Sequence, residues 1–494
     1  MLITYITTIG ISFIVRAVFV HKLGNQYLGL NGVLTSILSV LSISDLGMES
    51  VFSFLLYKPL ANNDTHAIRN FVALFKRVYS LVGLFVFVAG ISLLPFLPTI
   101  LGKQGQGLEN VTLIYFILLI NAAASYLFTY NRTVLNANQR NYIITSITFY
   151  TNTIINLLQI AFLYWVDSMV IYVSLFLIST VTTNIILSRK VLREYPFLNK
   201  LPKHARLDAK TKKILIHNTI GGLSNKLGSI VVFASDNILL SIFVNLTTVG
   251  LYSNYTMIIN SVLGLVQKIF GTITATVGNI AIKSPKQGVI VFKQLNFYVT
   301  AIAFFVAPQL LTLLRPLINM WLGKEYILSQ YIVLLIVINF VLQISRTPSL
   351  IYVDAYGLQW IQKWKSVIES VLNIVFSLIC LGIFHLGLIG ILLGTLGSTV
   401  LFVLWYEPYL VLKYGLKLDE KEQLISLAKI LLEKVWLILP TVTTWLCMHI
   451  IKGSGALLIS KIMVMNFIVL FILFAVIFWN RGELKYIYKL ALKK

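Results

Sequence analysis

Cysteine, histidine and acidic residues are all scarce in this 494-residue chain. The two cysteines, Cys380 and Cys447, each stand inside an apolar run, which excludes a disulfide framework and a thiolate metal site. The six histidines are scattered with no His-x-x-His or HExxH spacing, so zinc and metalloprotease chemistry have no support and neither a metal nor a cofactor is expected. No Walker A sequence occurs, and no Gly-x-Gly-x-x-Gly turn leads into a helix, which argues against ATP hydrolysis by this chain. No long outer loop carries paired carboxylates or a nucleophile with its base, so the chain is not expected to be an enzyme. Aspartate and glutamate number 17 against 40 lysines and arginines, a net charge of +23. No soluble segment is long enough to form a nucleic-acid module, so this excess is read as loops facing anionic lipid.

What is abundant is apolar sequence. Hydrophobic residues make up 58% of the chain and charged ones 12%, and the mean hydropathy is +0.86. Apolar runs long enough for a bilayer of ~30 Å repeat along the whole length, the mark of a polytopic membrane protein. Fourteen spans are expected, at 2–21, 30–57, 78–101, 111–131, 141–165, 168–188, 214–244, 250–281, 289–314, 326–350, 364–385, 387–412, 430–451 and 456–480. The first run lacks a basic leading region and a small-x-small cleavage site, so a cleaved signal peptide is not expected. Of the 40 lysines and arginines, 30 fall in loops on one side, 6 on the other, and Arg16, Lys226, Lys268 and Arg346 lie within spans. That asymmetry places both termini in the cytoplasm of a multi-pass cell-membrane protein.

The longest polar break, "SRKVLREYPFLNKLPKHARLDAKTKK", is rich in lysine and arginine and holds Pro196 and Pro202. It divides the chain into a first six-helix bundle (1–188), a basic cytoplasmic linker (189–213), a second six-helix bundle (214–413), and a loop, two helices and a basic tail (414–494). A weak internal repeat accompanies the division. Aligning Gly29-Leu30 with Gly250-Leu251 brings Thr35 onto Thr256 and Ile37 onto Ile258, at the same place in each half. Such repeats are common in transporters, with the substrate site at their interface.

Polar residues inside the spans recur at helical spacing. The first span aligns Tyr5, Thr8, Ser12 and Arg16, and the second aligns Asn31, Thr35, Ser42, Asp45 and Glu49. The fifth carries Asn152, Asn156 and Gln159, the seventh Asn225 and Asp236 with Lys226 beside them, and the eighth Asn260 with Lys268. The tenth ends on Asn339, Gln343 and Arg346, and the eleventh holds Glu369, Asn373 and Ser377. Charges at this depth cost several kcal/mol and face a protein interior or a wet cavity. Arg16 is therefore expected to face inward, toward the second or seventh span. A plainer reading, in which Asp45 or Glu49 pairs with Arg16 as a structural ion pair, stays open. The last two spans hold no acidic residue between Val435 and Ile451 or between Ala456 and Trp479 and are read as peripheral and lipid-facing.

The stretch "FIVRAVFVHKLGNQYLGLNGVLTSILSVLSISDLGMESVFSFLLYKPLANND", Phe13 to Asp64, resembles the opening of Wzx-type polysaccharide repeat-unit flippases. These belong to the multidrug/oligosaccharidyl-lipid/polysaccharide exporter superfamily. The pieces "LGNQYLGLNG", "SDLG" and "LYKPLANND" carry the likeness, and "TTVGLYS" is similar to the second-half counterpart. Relatives usually begin with a basic polar segment, whereas this chain starts "MLITYITTIG" in the apolar run.

The resemblance implies a MATE-like, all-α fold of about fourteen transmembrane helices, with two pseudo-symmetric six-helix bundles around a cavity and a C-terminal helix pair forming a lipid groove. It implies a substrate of undecaprenyl diphosphate carrying an oligosaccharide repeat unit, moved to the outer leaflet of a bacterial cell membrane for capsule, exopolysaccharide or O-antigen synthesis. A polymerase and glycosyltransferases of the same pathway would be partners. On this reading Arg16 and Arg346 give forked contacts to phosphate, with Lys226 and Lys268 as point charges. Asn152, Asn156, Asn225 and Asn260 would meet sugar hydroxyls. Asp45, Glu49 and Asp236 are candidates for coupling to H⁺ or Na⁺. Two alternatives stand beside it: a cation-coupled multidrug exporter of the same fold, and a membrane polysaccharide polymerase.

Overall fold

A 40-residue helix, α1 (Leu2–Leu41), opens the chain, and one residue breaks it. Gly24 adopts φ 80°, ψ 175°, a conformation that costs glycine little. Unbroken, the helix would be ~60 Å long at ~1.5 Å per residue, about twice the ~30 Å hydrocarbon core. The break makes two crossing-length pieces where the sequence suggested spans with a polar loop between them. In this computed structural model, residues 2–42, 48–202, 232, 234–437, 439–441, 443–445 and 456–478 are described. Of the expected site residues, Asp45, Asn225 and Lys226 lie outside this set, as does the side chain of Glu49.

The chain forms two compact units, Met1–Ser253 and Asn254–Lys494. The first contains α1, α2 (Met48–Ala61), α3 (Thr65–Leu93), α4 (Leu97–Gln106), α5 (Val111–Ala124), α6 (Thr129–Ala137), α7 (Asn141–Trp165) and α8 (Met169–Glu194). A short helix, α9 (Ala234–Phe243), follows, and then the first turns of α10 (Leu246–Gly271). Helices α5 and α6 are bent by 44° and together make the span expected at 111–131. Of the linker expected at 189–213, the described part is helix and turn: α8 runs on to Glu194, and a 3-10 turn follows at Pro196–Asn199. The division into units falls inside α10.

The second unit holds the rest of α10, then α11 (Thr274–Lys283), α12 (Pro285–Trp321), α13 (Gln330–Ile344), α14 (Thr347–Ala355) and α15 (Lys363–Leu378). It continues with α16 (Leu388–Ser398), α17 (Leu404–Leu410), α18 (Glu420–Trp436) and α19 (Ala456–Phe478). Among the described residues there is no strand, and nine helices are long and apolar enough to cross a membrane, or ten with the bent pair. The protein is an all-α integral membrane protein.

Helix α15 shows the solvent for which these helices are built. Its buried residues are Lys365, Ser366, Glu369, Ser370, Asn373 and Ser377, all polar. Its exposed residues include Trp364, Val367, Ile368, Val371 and Val375. A helix in water turns its apolar stripe inward. This one does the reverse, as a lipid-facing helix must when its polar groups need protein partners.

Inside the first unit the repeat has a structural counterpart. A Cβ placed on Gly29 would overlap the carbonyl oxygen of Leu246, and one on Gly250 would overlap the carbonyl oxygen of Asn25. Each glycine thus meets the residue four positions before the other, and each hypothetical Cβ lies 3.2 Å from the other glycine's nitrogen. The two residues that align in the repeat therefore pack on one another, backbone to backbone, about a local two-fold relation.

This crossing gives a testable expectation. Gly29→Ala and Gly250→Ala should each destabilise the protein by roughly 1–3 kcal/mol, because the opposing atoms are backbone and yield little. The double variant should cost less than the sum, since both changes strain one contact. Thermal unfolding in detergent measures this; full additivity would mean that the two glycines do not share the contact.

Candidate functional site

Four charged side chains buried in the second unit form a closed ring. Arg346 occupies the break between α13 and α14, where it is the residue before the first turn of α14. Its Nε donates to Glu407 Oε2 at 3.1 Å and its Nη2 to Glu407 Oε1 at 2.8 Å, a forked contact. Its Nη1 donates to Glu369 Oε1 at 3.1 Å. Lys365 closes the ring, with Nζ 2.7 Å from both Glu369 Oε2 and Glu407 Oε1. Gln362 Nε2 adds a contact to Glu407 Oε1 at 3.4 Å.

The side chains are 17% exposed for Arg346, 6% for Glu369, 4% for Lys365 and 1% for Glu407. Two cations thus face two carboxylates away from water. An isolated buried charge costs several kcal/mol, and attraction offsets this only when geometry and hydrogen bonds are both good. Here both carboxylates use both oxygens, so the condition is met.

Local backbone form follows the ring. Lys365 and Glu369 are one turn apart on α15, so both sit on its buried polar face. Helix α17 is flanked by π-helical turns at Thr399–Val403 and Val411–Gly415, irregularities that shift the register of side chains and occur often at functional sites. One turn further along α15, Asn373 Nδ2 donates to Thr395 Oγ1 of α16 at 3.0 Å.

The ring revises the expectation for Arg346. Its fork engages Glu407, and its remaining arm engages Glu369, so its donors serve the protein. Sequence reasoning had Arg346 and Glu369 on polar stripes but missed Glu407, Lys365 and Gln362. The signal for Glu407 was available: it is the sole acidic residue between Glu369 and Asp419, inside the span at 387–412. Lys365 had been counted with the loop after the tenth span, because only burial distinguishes it from Lys363.

Arg16 is placed differently. It is half-buried on α1, and its Nη1 reaches Ser253 Oγ on α10 at 3.4 Å. Among the described residues, no carboxylate forms an ion pair with it. The expected neighbours were the second and seventh spans; the observed one begins the eighth. Asp236 is buried on α9, next to Asn237, whose Nδ2 donates to Ser36 Oγ of α1 at 3.0 Å. Asn152 accepts from Ser179 Oγ at 2.9 Å, tying α7 to α8, and Asn156 is half-buried on the same helix. Lys268 and Asn260 are exposed on α10.

Beside the ring lies an apolar groove of about 530 Å³ between α13, the α16–α17 segment and α18. Leu334, Ile338, Leu396 and Leu431 form its walls, and Lys434 is the charged residue on them. Lys434 is buried, and its Nζ donates to the Leu404 carbonyl oxygen at 3.4 Å.

No protein-family model matches this sequence, and a comparison with curated proteins returns no match. Solved structures do match. The lipid II flippase MurJ, in an inward closed conformation, aligns with TM-score 0.63 and 13% identity over 96% of this chain and 98% of its own. A multidrug resistance MATE family transporter of the MOP superfamily, inward-facing, aligns with TM-score 0.60 and 12% identity over 82% and 93%. A mutant form of the Vibrio cholerae MATE transporter VcmN aligns with TM-score 0.57 and 15% identity over 85% and 95%. The chain therefore has the MATE-like fold.

Breaking the ring should be costly. Glu407→Gln leaves two cations facing one carboxylate and should lower stability by about 3–5 kcal/mol. Replacing Arg346 and Glu407 together with Met and Leu should recover part of that loss. Unfolding in detergent of the two variants side by side measures the difference; a Glu407→Gln protein as stable as the parent would mean that the ring contributes nothing.

Proposed function

We propose that this protein is a flippase that moves undecaprenyl-diphosphate-linked oligosaccharide repeat units from the cytoplasmic to the outer leaflet for surface polysaccharide synthesis. One observation carries the reading. Arg16, in the middle of an apolar helix, has a serine hydroxyl at 3.4 Å as its hydrogen-bond partner, whereas Arg346 is held by two carboxylates. A guanidinium on an apolar helix that pairs with no carboxylate among the described residues retains a planar fork of donors for an anion that arrives and leaves. A diphosphate with acidic or neutral sugars is such an anion, and unaided it cannot enter hydrocarbon.

The MATE-like fold and the likeness of Phe13–Asp64 to repeat-unit flippases support the same reading. So does the alignment with a flippase of another lipid-linked substrate, lipid II. In this mechanism Arg16, with Lys226 and Lys268, stands in for the hydration of the head group. Asn152, Asn156, Asn225 and Asn260 meet sugar hydroxyls, and the lipid chain stays in the membrane. Rocking of the repeats exposes the site to each side in turn. Asp45, Glu49 and Asp236 are the candidates for coupling to H⁺ or Na⁺. Arg346 acts as a brace that keeps the second unit's helices in place. Transport, and no covalent chemistry, is the activity; a polymerase and glycosyltransferases of the pathway are the partners, and both termini are cytoplasmic.

A multidrug exporter is the second reading, favoured by the alignment with a multidrug resistance MATE transporter. Both are tested in a strain lacking the gene. The flippase reading expects lipid-linked repeat units trapped on the cytoplasmic side and restored surface polymer on complementation. At matched protein level, Arg16→Ala should lower surface polymer by at least about tenfold, the worth of one strong charge-assisted contact. Normal polymer from Arg16→Ala would remove Arg16 from the mechanism, and ethidium efflux with unchanged lipid-linked intermediates would select the exporter.

A further inference from the structure

We propose that α4 is a strap that keeps the crossing of α1 and α10 at Gly29 and Gly250 shut, with Gln104 as its fastening to α10. The proposal rests on the transporter reading, in which the non-cytoplasmic side must open in turn, and on no particular substrate.

Helix α4 leaves α3 through a 3-10 turn at Leu94–Phe96 and buries Leu97, Leu101 and Gly105. It packs on α1 and is bonded at two points to the segment that leads into α10. Ser241 Oγ of α9 donates to the Ile100 carbonyl oxygen at 2.8 Å. Thr247, in the first turn of α10, donates to Gln104 Oε1 through both its N–H, at 3.1 Å, and its hydroxyl, at 3.2 Å. The first amides of a helix have no partner within it, so Gln104 supplies from another element what a capping side chain ordinarily supplies. Thr247 stands between Leu246, whose carbonyl oxygen faces Gly29, and Gly250. The fastening therefore acts within one turn of the backbone-to-backbone contact. On the sidedness proposed above, both lie on the non-cytoplasmic side.

Crossing and strap recur together in the sequence. The interval that separates Gly29 from Gly250 also takes Leu101-Gly102-Lys103-Gln104 onto Leu322-Gly323-Lys324-Glu325. Both glycines of this motif have positive φ, 61° at Gly102 and 120° at Gly323. The second copy carries a carboxylate where the first carries Gln104, so an oxygen acceptor is what the two retain. An acceptor is also all that Thr247 uses, since it donates both bonds. For a residue beyond the crossing to be reached from the non-cytoplasmic side, α10 must move away from α1, and Thr247 moves with it. Helix α4 is seated on α1 by its buried leucines and joined to α3 through Pro95 and Pro98, so it stays behind. Gln104 must then let go, and its two hydrogen bonds set part of the cost of opening.

The test is the rate at which a membrane-impermeant maleimide, added on the non-cytoplasmic side of sealed vesicles, labels Thr35→Cys in the full-length chain with Cys380 and Cys447 replaced by serine. Thr35 is exposed on α1 beyond Gly29, and the rate follows the fraction of molecules open on that side. Gln104→Met, which keeps the size and loses the acceptor, should raise it at least about fivefold, the worth of two neutral hydrogen bonds at the lower end of their range. Gln104→Glu, which keeps an acceptor, should stay close to the parent. Ser241→Ala, which removes the other bond, should raise the rate about twofold and decides the matter if Gln104→Met does not fold. Equal rates in the parent and a folded Gln104→Met, checked by melting temperature, overturn the proposal, because Gln104 is then a cap and no fastening. So does a rate raised as much by Gln104→Glu as by Gln104→Met, or an unchanged rate in Ser241→Ala. No substrate is added and no translocation is measured, so the two readings fail separately. A chain whose access Gln104 controls but which moves no lipid-linked sugar rejects the flippase reading alone.

Discussion

Charge buried in a membrane protein must find charge, and the four-membered ring in the second unit is where this constraint is met in full. Two carboxylates and two cations, none more than 17% exposed, share five contacts of 3.1 Å or less. The ring draws on three elements, and two of them depart from regular helix beside it. Arg346 sits in a helix break, and Glu407 lies between two π-helical turns. Regular helices place side chains at fixed angles, so bringing a forked guanidinium onto one carboxylate while a lysine holds both calls for local adjustment. The inverted amphipathicity of α15 follows from the same requirement, since the face that carries Lys365 and Glu369 has no other place for them than inward.

Cations with complete partners and cations without them are different kinds of evidence. Arg346 and Lys365 are neutralised in place, and their removal acts on stability. Arg16 has a serine hydroxyl, and no carboxylate pairs with it among the described residues. A buried cation left in this condition lowers stability, and a structure retains it at that expense when an anion uses it. Arg16 and Arg346, both picked out in the spans by sequence, are thus not equivalent, and exposure alone does not separate them, because both are half-buried.

Architecture was legible because hydropathy reports directly on it. The runs at 141–165 and 168–188 became α7 and most of α8, and the run at 456–480 became α19. Breaks were legible only in part. "HKLGNQYLGLNG" reads as a polar loop, yet one glycine torsion suffices and helix continues on both sides. Periodicity found the stripe with Asn152 and Gln159 but not its use: Asn152 Oδ1 accepts a hydrogen bond from Ser179 Oγ, and Gln159 donates to the Tyr172 carbonyl oxygen at 3.2 Å, so this stripe also joins helices. Lys365 and Lys434 were assigned to loops because a lysine near a span's end is ordinarily solvated. Both are buried because of contacts far along the chain, which no local pattern contains.

The repeat shows which part of this architecture is shared and which is particular. Gly29 and Gly250 align in sequence and meet in space, each against the residue four before the other. Backbone approach of that kind tolerates almost no side chain, so it holds a glycine at both copies while neighbouring positions diverge. Polar interiors carry no such geometric tie. In the first unit the described ion pairs, Lys22–Asp167, Arg140–Glu194 and Lys190–Glu194, are at least partly solvated, while the second unit closes its ring away from water. The repeated backbone accounts for a crossing that both copies build, and the unequal charges account for what each unit then does. One unit keeps an arginine on an apolar helix with no carboxylate paired to it among the described residues. The other fastens its helices with a neutral ring.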